Sequence, residues 1–282
     1  METLDLEFEQ SMTPSPVKPH GLRDYIILEK LGAGTFGTVY KAKRKKDGKV
    51  VALKILIVTL DTKGYEKAMK EIEILENISN PECNPFMSCY YNHSYDQKRK
   101  KLIIEMEYIE GLIISDFINE RGKDLVIYAA KDLLTGLDYI HKRGIIHSDI
   151  KPANIIVDKN NVPKLVDFGE SCFAKVCQDQ NCCVGMKGTP LYLAPETIET
   201  QVRYDKSDIW SLGMTLYNLA TERYPFPVDS YDTLPSLMGK IINYPYVPLK
   251  TNNLRLNAMV ENMLNKDPSK RLSASELLNK YF

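Results

Sequence analysis

His147-Ser148-Asp149-Ile150-Lys151-Pro152-Ala153-Asn154 is followed, one short hairpin later, by Val166-Asp167-Phe168-Gly169. The first stretch sets a carboxylate, Asp149, and an amide, Asn154, on a turn with four residues between them. The second adds another carboxylate, Asp167. Carboxylate and amide oxygens are the donors that a hard divalent cation takes. Lys151 adds a point charge suited to a phosphate oxygen. Such a constellation rarely arises by chance, so these two stretches are where the reading starts.

Upstream of them the pattern is strand, glycine turn, strand. Ile26 to Leu31 precede Gly32-Ala33-Gly34-Thr35-Phe36-Gly37, and Val39 to Ala42 follow. Glycines let a backbone approach phosphate oxygens and present N–H groups to them. A dinucleotide-binding turn is the rival, but it expects a helix after the glycines. Here Thr38-Val39-Tyr40 continues as strand. A third strand, Val50 to Ile57, contains Val51-Ala52-Leu53-Lys54 and so supplies a cation. Between Tyr65 and Ile78, Ala68, Ile72 and Leu75 recur at helical spacing. Glu71 on that helix reads by itself as a surface glutamate, but in this order it is the expected partner of Lys54. A hairpin of Ser88–Tyr95 and Lys101–Tyr108 completes a small antiparallel sheet with one helix.

After Gly111 the texture becomes helical: residues 124–143, 206–221, 237–242 and 254–264, then a last helix from Ser273. That last one opens with the capping box Ser273-Ala274-Ser275-Glu276. Residues 1 to about 23 lack periodicity and read as a flexible N-terminal tail, in which Thr13-Pro14 and Ser15-Pro16 are candidate acceptors of proline-directed phosphate. An inert leader is the plainer reading.

Bulk properties bound the function. The chain has 282 residues with 44% hydrophobic and 26% charged, enough for a sizeable core in two lobes. Lys plus Arg equals Asp plus Glu at 37 each, which gives no electrostatic case for nucleic acid or an anionic membrane. The basic run Lys41 to Lys46 leads into Asp47-Gly48 and reads as a solvated hairpin. No apolar run approaches a bilayer span, so a soluble, cytoplasmic protein is expected. Without a secretion signal, the six cysteines read as reduced thiols.

From Tyr25 to Phe282 the chain resembles the eukaryotic protein kinase superfamily, with its principal motifs in order. The resemblance implies an α+β bilobal fold: a small antiparallel-sheet lobe with one helix, 24–107, and a larger, mainly helical lobe, 112–282. It implies MgATP as phosphate donor, protein substrates and a monomer. Asp149, Lys151, Lys54 and Glu71 take the catalytic roles; Asn154 and Asp167 take Mg²⁺. Leu31, Gly32, Ala33, Gly34, Thr35, Phe36, Gly37, Val39, Ala52, Lys54 and Ile156 would surround the nucleotide. Met106 resembles the gatekeeper, and Glu107-Tyr108-Ile109 the hinge that receives adenine. Leu75, His147 and Phe168 resemble the hydrophobic spine, Glu196 and Arg271 the buried ion pair, and Asp208 the aspartate that braces the catalytic loop. Lys151-Pro152 and Gly188-Thr189-Pro190-Leu191-Tyr192 are similar to serine/threonine kinases, and Thr189 should bond Asp149 and Lys151. Ser207 through Phe226 is similar to STE-type kinases, and Pro81-Glu82-Cys83-Asn84-Pro85 to kinases of large DNA viruses.

Two departures belong together. The usual arginine before the catalytic aspartate is Ser148, and between Gly169 and Gly188 the only hydroxyl is Ser171. Phosphate acceptor and receptor are both missing, which implies an enzyme that does not depend on activation-loop phosphorylation. In the same loop lie Cys172, Cys177, Cys182 and Cys183. They could bind zinc or form a reversible disulfide that orders the segment, although scattered reduced thiols are the plainer expectation. Ala153 and Leu112 to Ile114 give no support to a preference for upstream arginine. A nucleotide-sensing pseudokinase would need a broken Lys54, Asp149, Asn154 or Asp167. A small-molecule kinase would typically lack the Gly-Thr-Pro-x-Tyr and Ala194-Pro195-Glu196 elements.

Overall fold

A computed structural model describes residues 21–34, 37–60, 62–177 and 180–282, with the backbone alone at 176, 177, 180 and 181. The expected tail therefore lies outside the described residues as far as residue 20, as do Thr35 and Phe36.

Strands β1 (Tyr25–Gly34), β2 (Gly37–Arg44) and β3 (Val50–Ile57) are joined in the first sheet by β4 (Tyr90–Asp96) and β5 (Lys101–Glu107). The order is β1-β2-β3-β5-β4, antiparallel throughout. The basic run is the end of β2 and its turn: Gly48 takes φ 74° and Lys49 N–H donates to Asp47 Oδ1 at 3.0 Å. Register sets the cleft-facing residues, because Val39 lies opposite Lys54 and Ala52 opposite Met106.

Helix α1 (Lys63–Ser79) starts at Thr62, whose Oγ1 accepts from Tyr65 N–H. It buries Ala68, Ile72, Ile74, Leu75 and Ile78, and with them Glu71. A carboxylate on the buried face of a helix needs a partner there. That requirement turns Glu71 towards β3.

The chain then passes through β6 (Gly111–Ile113) into α2 (Ile114–Arg121) and α3 (Val126–His141). β7 (Ile145–Ile146), β8 (Ile155–Asp158) and β9 (Pro163–Leu165) carry the motif-bearing loops. β8 lies between β6 and β9. Beyond them come β10 (Cys172–Phe173), β11 (Lys175–Cys177), β12 (Gln180–Val184), α4 (Pro195–Thr200) and β13 (Val202–Arg203). The helices α5 (Asp205–Thr221), α6 (Leu234–Asn243), α7 (Leu254–Met263) and α8 (Ala274–Tyr281) complete it.

Helix α5 is buried nearly all round, from Ser207 through Tyr217, and forms the axis of the helical part. Leu133, Leu137 and Ile140 of α3 and Met259, Val260 and Met263 of α7 share its hydrophobic core. Fully burying one such side chain contributes about 1.5–3 kcal/mol. Arg271, fully buried, donates from Nη1 and Nη2 to the two oxygens of Glu196 at 2.7 Å each, and Ser207 Oγ donates to Glu196 at 2.9 Å. Ser273 and Glu276 form the capping box of α8.

The cysteines differ from expectation. Cys172 on β10 and Cys183 on β12 form a disulfide, with Cα atoms 6.4 Å apart, and Cys83 pairs with Cys89 across 5.4 Å. No cysteine is free among the described residues. The expectation of reduced thiols came from composition and the lack of a secretion signal. It took no account of the tertiary return that sets β12 beside β13 and brings Cys183 back to Cys172. Both Cα separations fall within disulfide reach. In this disulfide Cys172 and Cys183 offer no thiolate to zinc; the side chain of Cys177 lies outside the described residues.

Candidate active site

Asp149 stands at the centre. Its Oδ1 accepts from Thr189 N–H at 2.8 Å and Thr189 Oγ1 at 2.7 Å. Its Oδ2 accepts from Lys151 Nζ at 2.8 Å and Asn154 Nδ2 at 2.9 Å. Lys151 Nζ also donates to Thr189 Oγ1 at 2.6 Å. These residues come from two distant segments, the loop after β7 and the segment before α4. Gly188 permits the approach: it takes φ 103°, and a Cβ there would collide with the Ser148 carbonyl.

The loop is held from beneath by α5. Asp208, almost wholly buried, accepts from the backbone N–H groups of His147 and Ser148 at 2.8 Å each and contacts His141 Nε2 at 2.9 Å. Burial alone would raise its pKa, but the His141 contact and those donors hold the carboxyl below the usual carboxylate range. Ser148 itself has φ 72°, its backbone fixed by Asp208. Its Oγ lies 3.9 Å from Cys172 Sγ.

On the sheet side, Lys54 Nζ donates to Glu71 Oε1 at 2.6 Å and Asp167 Oδ1 at 3.0 Å. Burial would push the ammonium's pKa down, yet the two carboxylates overcome it and hold it above the ordinary lysine value. For Asp167 burial would raise the pKa, and Lys54 more than offsets it, keeping the carboxyl ionised to lower pH than usual. Gly169 leaves room for this junction, since a Cβ there would sit 3.2 Å from both Lys54 Nζ and Asp167 Oδ1. His147 and Phe168 pack with ring centroids 4.8 Å apart, and Phe168 shares a core with Leu75.

The residues expected to hold Mg²⁺ have a suitable donor set. Asn154 Nδ2 is spent on the Asp149 carbonyl and carboxylate, at 2.8 and 2.9 Å, which leaves its amide oxygen as donor. Asp167 keeps half of its side chain exposed. One amide oxygen and one carboxylate suit a small, hard cation that retains most of its waters.

The family described as the protein kinase domain matches residues 25–282. The chain belongs to the protein kinase family. Among its curated relatives, the chain is 32% identical to the serine/threonine-protein kinase TIO of Arabidopsis thaliana over 259 residues, 90% of this chain and 18% of that one. It is 32% identical to mitogen-activated protein kinase kinase kinase 3 of the same plant over 266 residues, 90% of this chain and 40% of that one. Against the serine/threonine-protein kinase Nek8 of Danio rerio the identity is 33% over 265 residues, 91% of this chain and 36% of that one. The chain thus spans less than half the length of these relatives.

In this kinase fold the expected nucleotide-surrounding residues are divided between the sheet and the hairpin beneath it. Leu31, Gly32, Ala33, Gly34, Gly37 and Val39 lie on β1 and β2, Ala52 and Lys54 on β3, Met106 and Glu107 on β5, and Ile156 on β8. Ile109 is buried in the connection to β6. Glu107 also accepts from Lys164 Nζ at 2.8 Å, tying the end of β5 to β9. No helix among the described residues is long and apolar enough to cross a membrane.

Three contacts went unread in the sequence. Lys67 Nζ donates to Glu170 Oε1 at 2.9 Å, Arg203 Nη1 to the Glu170 carbonyl at 3.0 Å, and Ser171 Oγ to the His147 carbonyl at 2.9 Å. The signal for the first was available: Lys67 precedes Glu71 by one helical turn, and Glu170 directly follows Gly169.

Proposed function

We propose that this chain transfers the γ-phosphate of MgATP to serine and threonine hydroxyls of proteins, and that it does so without a phosphate on its activation segment. The observation that carries the reading is the Asp149 carboxylate, oriented by four donors from Thr189, Lys151 and Asn154. Asp149 accepts the hydrogen bond of the substrate hydroxyl and takes its proton as the phosphoryl group departs from ATP. Thr189 and Lys151 keep the carboxylate from rotating, and Lys151 offsets charge on the γ-phosphate. Lys54, held by Glu71, fixes the α- and β-phosphates. Asn154 and Asp167 would hold Mg²⁺, which when bound would supply positive charge to offset that of the phosphates.

The catalytic domain is assigned to 24–282, with 24–107 as the small lobe and 112–282 as the large one, acting as a monomer in the cytoplasm. Phosphate independence rests on the activation segment. Ser148 replaces the phosphate-receiving arginine, and Ser171 Oγ is engaged with the His147 carbonyl. The Cys172–Cys183 disulfide supplies order in place of phosphate.

The test is phosphorylation of a degenerate peptide library by the purified protein, with Asp149→Asn alongside. Label should enter serine and threonine and leave tyrosine nearly untouched. The variant should lose about 10²–10⁴ in rate while its ATP affinity stays nearly intact. Near-native turnover by Asp149→Asn would falsify the assignment, and phosphotyrosine as the main product would contradict the residue preference.

A further inference from the structure

The ion pairs around Lys54 continue past the two partners that the phosphoryl-transfer reading uses. Lys54 bonds Glu71 at 2.6 Å and Asp167 at 3.0 Å. One turn before Glu71 on α1, Lys67 bonds Glu170 at 2.9 Å, and Glu170 lies three residues after Asp167. The two pairs close a circuit: Lys54, Glu71, one helical turn, Lys67, Glu170, the metal-binding turn, Asp167 and back to Lys54. Residues four apart on a helix share a face, so Lys67 and Glu71 reach the same turn from the same side. The carboxylate of Glu170 is 15% exposed and the Lys67 side chain 35%, so this second pair is only partly screened by water.

Glu170 is also fixed from the opposite side. Arg203, 6% exposed, donates from Nη1 to the Glu170 carbonyl at 3.0 Å. Arg203 lies opposite Cys183 in the β12–β13 pairing, so its strand is braced by the Cys172–Cys183 disulfide. The Glu170 backbone is thereby tied to the helical part while its side chain reaches up to α1. Glu71 reaches the turn only through Lys54 of β3, so α1 can still pivot about that contact. The direct Lys67–Glu170 pair one turn away restrains that pivot.

We propose that Lys67 and Glu170 form a second clasp between α1 and the metal-binding turn, and that they are positioning residues for Lys54 and Asp167. They touch no reacting atom; they set the orientation of α1 in which Glu71 meets Lys54. The inference rests on the roles assigned above to Lys54 and Asp167.

The experiment compares kcat, KM for ATP and Tm for Lys67→Met, Glu170→Gln, the double variant, Lys67→Arg and the control Lys54→Met. Each single variant should lose about 3- to 10-fold in kcat, the range that a partly exposed coupling contact supports. Tm should fall by less than about 4 °C, because a partly exposed ion pair adds little to stability. The double variant should be no slower than either single one, and Lys67→Arg should keep most of the activity. Full kcat in both single variants, or losses that multiply in the double variant, would overturn the clasp. An inactive Lys54→Met beside a fully active Lys67→Met would sink the clasp alone, whereas an active Lys54→Met would sink the reading beneath it.

Discussion

Asp149 has both carboxylate oxygens occupied by two donors each, and two of those four bonds come from one residue, Thr189. Hydrogen bonds to charged groups contribute about 1.5–3 kcal/mol. Thr189→Val removes the hydroxyl that bonds both Asp149 and Lys151, and should lower kcat by about 10- to 100-fold with the fold intact. Thr189→Ser should recover most of that loss, and steady-state kinetics on the pair decides it. A second residue-scale expectation concerns His147, fully buried with the carboxylates of Asp208, Asp149 and Asp167 acting on it. Burial dominates and pushes its pKa below the ordinary value. The unfolded chain takes up this proton near pH 6.5, before the folded protein does. The stability tied to neutral His147 is therefore complete above about pH 6.5. It is lost as pH falls from there through the folded pKa, by at most about 1.4 kcal/mol per pH unit. Thermal unfolding between pH 7.5 and 5 should show this fall in the native protein, and a shallower one in His147→Phe.

At the scale of elements, the activation segment is held by covalent, strand and side-chain contacts together. β10 pairs with β7, β12 pairs with β13, and the disulfide joins β10 to β12. Cross-linking two positions 11 residues apart removes loop-closure entropy worth about 3 kcal/mol from the open state. Replacing Cys172 and Cys183 together by serine should loosen the segment, lower kcat several-fold and speed amide exchange in residues 170–188. Unchanged exchange and activity in the double variant would leave the disulfide without a part in catalysis. The cysteine spacing left thiols, zinc and disulfide open. Pairing needs two sulfurs to meet, and their meeting depends on β12 folding back onto β13, which no local pattern encodes.

Over the whole molecule, order in the segment around Asp149 runs from α5 through Asp208, Arg203 and the disulfide to the turn at 167–170, and from there to α1 and the sheet. None of these links uses a phosphate. Phosphatase-treated protein should therefore keep most of its activity, and intact-mass measurement before and after treatment fixes what was removed. A large fall would reassign control to Ser171 or to the tail. Much of this architecture was legible in the sequence because its signals are local. Runs between glycine turns marked the first strands, helical spacing marked α1, a change to helical texture after Gly111 marked α3, α5, α6 and α7, and a capping box marked α8. The order of Lys54, Glu71, Asp149, Asn154 and Asp167 carried the expectation of phosphoryl transfer, a reaction that uses such groups. Short elements such as α2, α4, β10 and β13 gave too few residues for a period to emerge. The distances that place Thr189 on Asp149, Lys67 on Glu170 and Arg203 on the Glu170 carbonyl join residues 40, 103 and 33 positions apart. Those contacts exist only after the core around α5 has closed. The sequence by itself determined the kinase family and the order of its motif residues; only the tertiary structure decided what holds those residues in place, because burial and long-range pairing are properties of the folded chain.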